Sequence, residues 1–292
     1  MTRIYGGLLL KNLVAQDEYF ALQMRLHEDL LTQGIQLLVA HPCYTPGITI
    51  ENLPKILSAL PQGLEIIIHC GAENRGVDFG ENFDEKREYE KHYSGLSWAT
   101  WNRETLAWAL QVANLVHGSV VVHPGYGKDS LDVLSKERIL SILQYVADPR
   151  VLLENVPPFD FVEFEKWGFG GIPSDMCWLV AATKKRCLID FTHLWVAVNQ
   201  AKSLNRQVLA GCLDLEKTIA DFLALPHSNI CHFSGLPPGI QDDHEFLHVK
   251  PLAAIREAIR QMSAVCLEIP YFPDDPQRTQ RGIEFFHKMY LE

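Results

Sequence analysis

The sequence predicts a (β/α)8 (TIM) barrel on three observations: eight short apolar or β-branched runs, helical patterns between them, and a metal-ligand type of residue at nearly every run's end. The runs are Arg3–Leu10, Ile35–His41, Leu64–His69, Ser119–His123, Val151–Glu154, Cys187–Asp190, Asn229–His232 and Ala264–Glu268, each bounded by Gly, Pro or a polar residue. Their starts lie about 30 to 40 residues apart in six of seven intervals, the spacing of a strand, a crossover helix and two loops, which predicts parallel strands. Helical periodicity fills the gaps, from Asp17 to Gln33, Asn102 to Val116, Ser130 to Val146 and Ala253 to Met262. In the second of these Leu106, Ala109, Leu110 and Ala113 share one face. Eight such units close a barrel and make 1–292 a single domain. An open doubly wound sheet is the alternative, but it gathers its site at one switch point.

The third interval is longer by about 20 residues, a polar, charged and glycine-punctuated segment that runs from Gly71 to Gly95. On a barrel this insertion, bounded as 71–98, lies over the catalytic face and reads as a lid or substrate loop, or else as a passive surface excursion.

An apolar fraction of 47% with 21% charged residues suits a globular chain with a large core, and nothing is low in complexity. The first twenty residues lack the long apolar stretch and cleavage site of a leader, and nothing approaches the roughly 20 apolar residues of a membrane span. Seven cysteines without a CxxC pair suit a reducing compartment, so the expectation is cytoplasmic with no membrane partner. A formal charge of −10 disfavours broad attachment to nucleic acid, though bound cations could offset it locally.

In a barrel all strand C-termini face one mouth, where polar side chains read as catalytic because the interior beneath is apolar. The run ends here are His41, His69, His123, Glu154, Asp190, His232 and Glu268. His193 follows in DFTH, and Asp242 and His244 follow in QDDH. Imidazole and carboxylate suit Zn, Mn or Fe, and so many carboxylates in one ring repel each other unless cations, more than one by the simplest account, neutralise them. Singly, each has an ordinary reading: a strand-end His as a hydrogen-bonded structural residue, HPG as a turn, Asp190 as a helix cap. Alternation in IIIHC and ICHF turns Cys70 and Cys231 away from the mouth, as packing residues.

The motifs IIIHCG, VVVHPGYG, LLENV, IDFTH, CHFSG, the D-x-H of Asp242 and His244, and LEIP resemble, in this order, the xylose-isomerase-like TIM-barrel superfamily. Within it they resemble the endonuclease IV branch, also called AP endonuclease family 2. That resemblance implies a phosphodiesterase with three Zn ions (Mn or Fe being alternatives). His69 and His123 would hold one ion, Asp190, His232 and Glu268 a second, and His193, Asp242 and His244 a third, with Glu154 bridging the first two. The text HFSGLPPG departs from the branch, in which an asparagine and an aspartate usually follow the histidine, and its DNA-gripping loops are not recognisable. The isomerase and epimerase branch resembles this chain through Glu154, Asp190, His232 and Glu268 around one divalent ion, which leaves five residues unexplained.

The expected function is therefore metal-dependent phosphoester hydrolysis, with Glu154 catalytic beside a metal-activated water. The substrate would be a phosphorylated small molecule or nucleic acid, contacted by His41, Arg75, Tyr126 and Lys128. The alternative is a sugar isomerase or epimerase with a single divalent metal, in which Glu154 and Glu268 move a proton on opposite faces of a carbon. A metal-stabilised binding protein is the third reading.

Overall fold

The computed structural model describes residues 2–71, 79–80, 96–159, 166–204, 206–240, 252–269, 272 and 274–292. Eight strands form one closed barrel: β1 (Arg3–Leu9), β2 (Gly34–Val39), β3 (Glu65–Cys70), β4 (Val120–Val122), β5 (Val151–Glu154), β6 (Arg186–Asp190), β7 (His227–Phe233) and β8 (Ala264–Leu267). Every neighbouring pair is parallel, and β1 closes the ring by pairing with both β2 and β8. This is the (β/α)8 barrel expected from the spacing, and the closed ring excludes the open sheet.

Two faces of each strand serve two cores. Outward residues such as Ile4, Leu37, Ile68, Val122, Leu153, Ile189 and Val265 pack against the helices in one large cluster. Inward residues Tyr5, Ile67, Val121, Leu152, Leu188, Ala264 and Cys266 form a small second cluster inside the barrel, with Ile230 against it. The strict two-residue period of a strand produces this division. Cys70 and Cys231 fall in the outer cluster, as alternation predicted, whereas Cys266 points inward.

Helices begin where side chains can satisfy their first N–H groups. Asp17 accepts from Tyr19 and Phe20 at the start of the helix Glu18–Glu28, Asp132 from Ser135 before Val133–Tyr145, and Asp214 from Lys217 before Leu215–Leu223. Trp101 and Trp108 of the helix Trp98–Val116 are buried within the chain. Lys184 and Lys185, immediately before β6, lie at the opposite end of the barrel from the mouth. Lys185 there is buried, and its ammonium donates to the Val146 carbonyl at 2.6 Å.

Most of the insertion 71–98 lies outside the described residues, so its reading as a lid is not addressed. Within it, Phe79 is fully buried in the outer core, and the Gly80 carbonyl accepts from Arg138 at 3.4 Å. A Cβ on Gly80 would stand 2.1 Å from the Tyr126 carbonyl, so only glycine allows this approach to the loop after β4. That loop forms a two-residue antiparallel ribbon, Tyr126–Gly127 against Trp167–Gly168. Among the described residues no helix is long and apolar enough to cross a membrane.

Candidate metal centre

Six successive strands carry an apolar inward residue and, two positions on, a ligand type. The pairs are Ile67 and His69, Val121 and His123, Leu152 and Glu154, Leu188 and Asp190, Ile230 and His232, Cys266 and Glu268. Two residues is one inward repeat, so the second members form a layer directly above the apolar one. A register shift on β6 between Cys187 and Ile189 brings Asp190 level with His232.

Glu154 is the centre of this layer. Its Oε2 lies 2.9 Å from His69 Nε2 and 3.3 Å from His123 Nε2, and its Oε1 lies 2.9 Å from His232 Nδ1 and 3.8 Å from His193 Nδ1. Glu268 Oε1 adds contacts to His232 Nδ1 at 3.2 Å and His69 Nε2 at 3.9 Å. Burial pushes the Glu154 carboxyl up, but the imidazoles of His232 and His123 outweigh burial and hold it well below the usual carboxylate range. Burial likewise lowers His232, and the charges of Glu154 and Glu268 outweigh it and raise that imidazole well above its ordinary value.

Backbone groups orient two of the histidines. His69 Nδ1 donates to the Cys70 carbonyl at 2.6 Å, leaving Nε2 as the lone-pair nitrogen that faces Glu154, and His193 Nδ1, the nitrogen nearer Glu154 and Asp190, donates to the Asn155 carbonyl at 2.7 Å. His69 Nε2 then faces a carboxylate oxygen, acceptor against acceptor, an arrangement that requires a proton or a cation between them. Atoms bound to one cation at about 2.1 Å stand about 3.0 Å apart at octahedral corners and about 3.4 Å at tetrahedral ones. The separations above cluster around those edges, so the donor set fits a divalent ion.

Two groups of ligand atoms emerge, each within 4.8 Å: His69, Glu154, His232 and Glu268, and Glu154, Asp190 and His193. Glu154 belongs to both. Asp190 also caps the helix Phe191–Leu204, its Oδ1 accepting from the His193 N–H at 2.9 Å, so the ordinary reading of this residue and the ligand reading hold together.

The other expected residues fall elsewhere. His41 lies beyond the end of β2, stacked on Trp101 with ring centroids 3.6 Å apart, its Nδ1 accepting the Cys43 N–H and its Nε2 3.3 Å from Glu104. Tyr126 is buried in the ribbon, and Lys128 is exposed, its backbone N–H bonded to Asp132. Arg75, Asp242 and His244 lie outside the described residues, so a three-ion arrangement is not addressed by this geometry.

Two contributors were not singled out from sequence. Gln36, inward on β2 and buried, donates from Nε2 to Glu268 Oε1 at 2.7 Å. Asn155, fully buried, joins β5 to β6 by donating to the Asp190 carbonyl at 3.0 Å and accepting the Asp190 N–H at 2.7 Å, while its own carbonyl holds His193. A polar residue at inward parity within the apolar run IQLLV was the available signal for the first. An amide directly after a ligand was the signal for the second.

No family model matches the sequence, and no curated protein matches it. Solved structures do. A D-tagatose 3-epimerase-like protein superposes with TM-score 0.58 at 16% identity, covering 98% of this chain and 97% of its own. D-Psicose 3-epimerase from Clostridium cellulolyticum H10, crystallised with D-tagatose, gives 0.56 at 11% identity over 98% and 99%. A D-psicose 3-epimerase in the presence of D-fructose gives 0.55 at 9% over the same shares. These likenesses run the full length and establish the shared barrel fold. They also correct the hydrolase expectation, because the neighbours are epimerases, which are isomerases, and the endonuclease IV branch finds no support in them. The nine-residue pattern does not by itself select hydrolysis, because His and carboxylate ligands are common to both chemistries.

Proposed function

We propose that this chain is a divalent-metal-dependent sugar epimerase or isomerase acting on a ketose. One observation carries the reading. Two carboxylates, Glu154 and Glu268, converge on His232 at 2.9 and 3.2 Å, at the strand ends of a barrel whose full-length structural neighbours are ketose 3-epimerases. His69, Glu154, His232 and Glu268 would hold the ion, with Asp190 and His193 beside it. When bound, the ion supplies a positive charge that stabilises oxygens next to the reacting carbon.

The chain's own groups do the proton work. Glu268 has 19% of its side chain exposed and is the carboxylate that a sugar entering the mouth meets first, whereas Glu154 is enclosed. A proton leaves the carbon next to the carbonyl on one face and returns on the other, one carboxylate serving each face, so nothing is added or removed overall. The imidazoles around Glu154 keep it ionised and ready to accept. Asn155 keeps Asp190 and His193 in place through both strand ends.

The number of ions remains part of the proposal. The described residues form two groups sharing one carboxylate, and a third ion would need Asp242 and His244. The deciding experiment incubates the metal-loaded protein with D-tagatose, D-fructose and D-psicose in D2O. Conversion to the epimer or isomer with one deuterium on the exchanged carbon supports the reading, and neither conversion nor exchange with any of the three sinks it. Elemental analysis of the same sample separates one ion per chain from two or three.

A further inference from the structure

Gln36 carries a buried polar end that the proton transfer above does not use. Its side chain belongs to a residue only 5% exposed, and its Nε2 donates to Glu268. A carboxylate only accepts, so this bond fixes which end of the amide is oxygen. That oxygen, Oε1, is buried and has no hydrogen-bond partner among the described residues. Buried acceptors are nearly always satisfied, and one that is not points to a donor arriving from elsewhere.

The neighbouring strand supplies the space. Gly7 on β1 pairs with Gln36 on one side, while Tyr5 and Gly6 pair with Cys266 and Leu267 on the other, which sets Gly7 between Gln36 and Glu268. Tyr5 points into the barrel, so Gly7, two residues on, does as well. Among the described residues, a Cβ on Gly7 would meet only the Tyr19 hydroxyl at 3.6 Å and the Leu267 carbonyl at 3.8 Å, both ordinary contacts. The inner wall therefore has a gap at the level of the ligand layer, bordered by an amide oxygen and a carboxylate.

We propose that Gln36 is a substrate-binding residue whose Oε1 accepts a hydroxyl of a polyhydroxylated ketose lodged over Gly7, while its Nε2 holds Glu268 toward the same molecule. The assignment rests on the epimerase reading, since a ketose that reacts at the carbon beside its carbonyl presents hydroxyl donors on that carbon and on the next one along the chain. A sugar lacking that hydroxyl leaves the oxygen buried and unpaired, so the subsite discriminates by hydrogen bond and not by shape alone.

The test is calorimetric binding of D-tagatose, D-fructose and a set of their monodeoxy analogues to the metal-loaded full chain and to Gln36→Met, which keeps the length and removes both amide ends. One deoxy position is expected to bind about tenfold or more weaker than its parent to the unaltered protein, and less than about twofold weaker to the variant. Equal penalties in both proteins overturn the assignment. Gly7→Ala gives a second arm, because the added methyl fits by ordinary contact and leaves Gln36 in place. Ketose affinity should fall about tenfold while metal stoichiometry stays unchanged, and unaltered ketose affinity places the sugar elsewhere and overturns the subsite. An unaltered protein that neither binds nor converts any ketose overturns the epimerase reading together with the sugar. Ketose binding without coupling to Gln36 overturns the Gln36 assignment alone.

Discussion

The barrel interior contains two layers built by the same strands, two residues apart, and they differ in almost every respect. The lower one, Ile67, Val121, Leu152, Leu188 and Cys266 with Ile230 against it, is an apolar plug. The upper one, His69, His123, Glu154, His232 and Glu268 with Asp190 beside them, brings carboxylates and imidazoles to within 2.9 to 3.9 Å of one another. The centre of each is buried, with Leu152 1% and Glu154 0% exposed. Burial alone therefore does not distinguish a stabilising layer from a reactive one. The distinction is whether the buried groups satisfy each other: methyl groups do so by contact, whereas facing acceptors need a proton or a cation.

Substitutions in the two layers should have opposite signatures. The largest effect is expected from Glu154→Gln, which keeps shape and removes charge. Ketose turnover should fall about 10²- to 10⁴-fold while the chelated protein melts within a few degrees of the unaltered one. Full activity in steady-state assays of that variant would remove Glu154 from the chemistry. Chelating the metal should abolish turnover and lower the melting temperature, by the equivalent of about 4 kcal/mol if the ion had been present at a thousand times its dissociation constant. A melting curve indifferent to chelator would show that the upper layer satisfies itself without an ion.

Leu152→Ala probes the lower layer, and about 2–5 kcal/mol of stability should be lost in denaturant titration with metal stoichiometry unchanged. Loss of metal from a variant that still folds would show that the layers are not separable. Asn155→Ala belongs to both. It removes two bonds to Asp190 and should cost about 1–3 kcal/mol and weaken metal binding about 10- to 100-fold, which isothermal titration reads directly. The smallest effect is expected from Lys128→Ala, an exposed loop position whose loss should change stability by no more than about 0.5 kcal/mol. A marked rise in KM for the ketose in that variant would restore this lysine as a substrate contact.

The fold was legible in the sequence because its signals are local. The run Val151–Glu154 coincides with β5, and Ala264–Glu268 overshoots β8 by one residue, since β-branched composition and the breakers beside it are properties of neighbouring residues. His41 shows the limit: β2 ends at Val39, and Pro42 after His41 starts a 3-10 turn that takes this histidine to Trp101. Gln36 and Asn155 carried a signal but not a role, for a different reason. Their roles depend on which residue of the adjacent strand stands opposite, and register is a property of pairs of strands far apart in the chain. The reaction class was illegible for a third reason, because His69, Glu154, His232 and Glu268 are what a cation needs whichever bond is altered beside it.

The hydrogen bond from Gln36 to Glu268 joins residues 232 positions apart, across the seam where β1 meets β8. A ribosome must therefore have made nearly the whole barrel before this contact exists, and Glu268, the last ligand in the layer, arrives with the strand that closes the ring. Earlier segments carry His69, His123 and Glu154 without the charge pattern that surrounds them later. Such long-range closure is slow in folding terms. Any metal capture by this layer would thus wait for the last strand, and a translation product that stops before it would present an apolar half-barrel with three stranded candidate ligands.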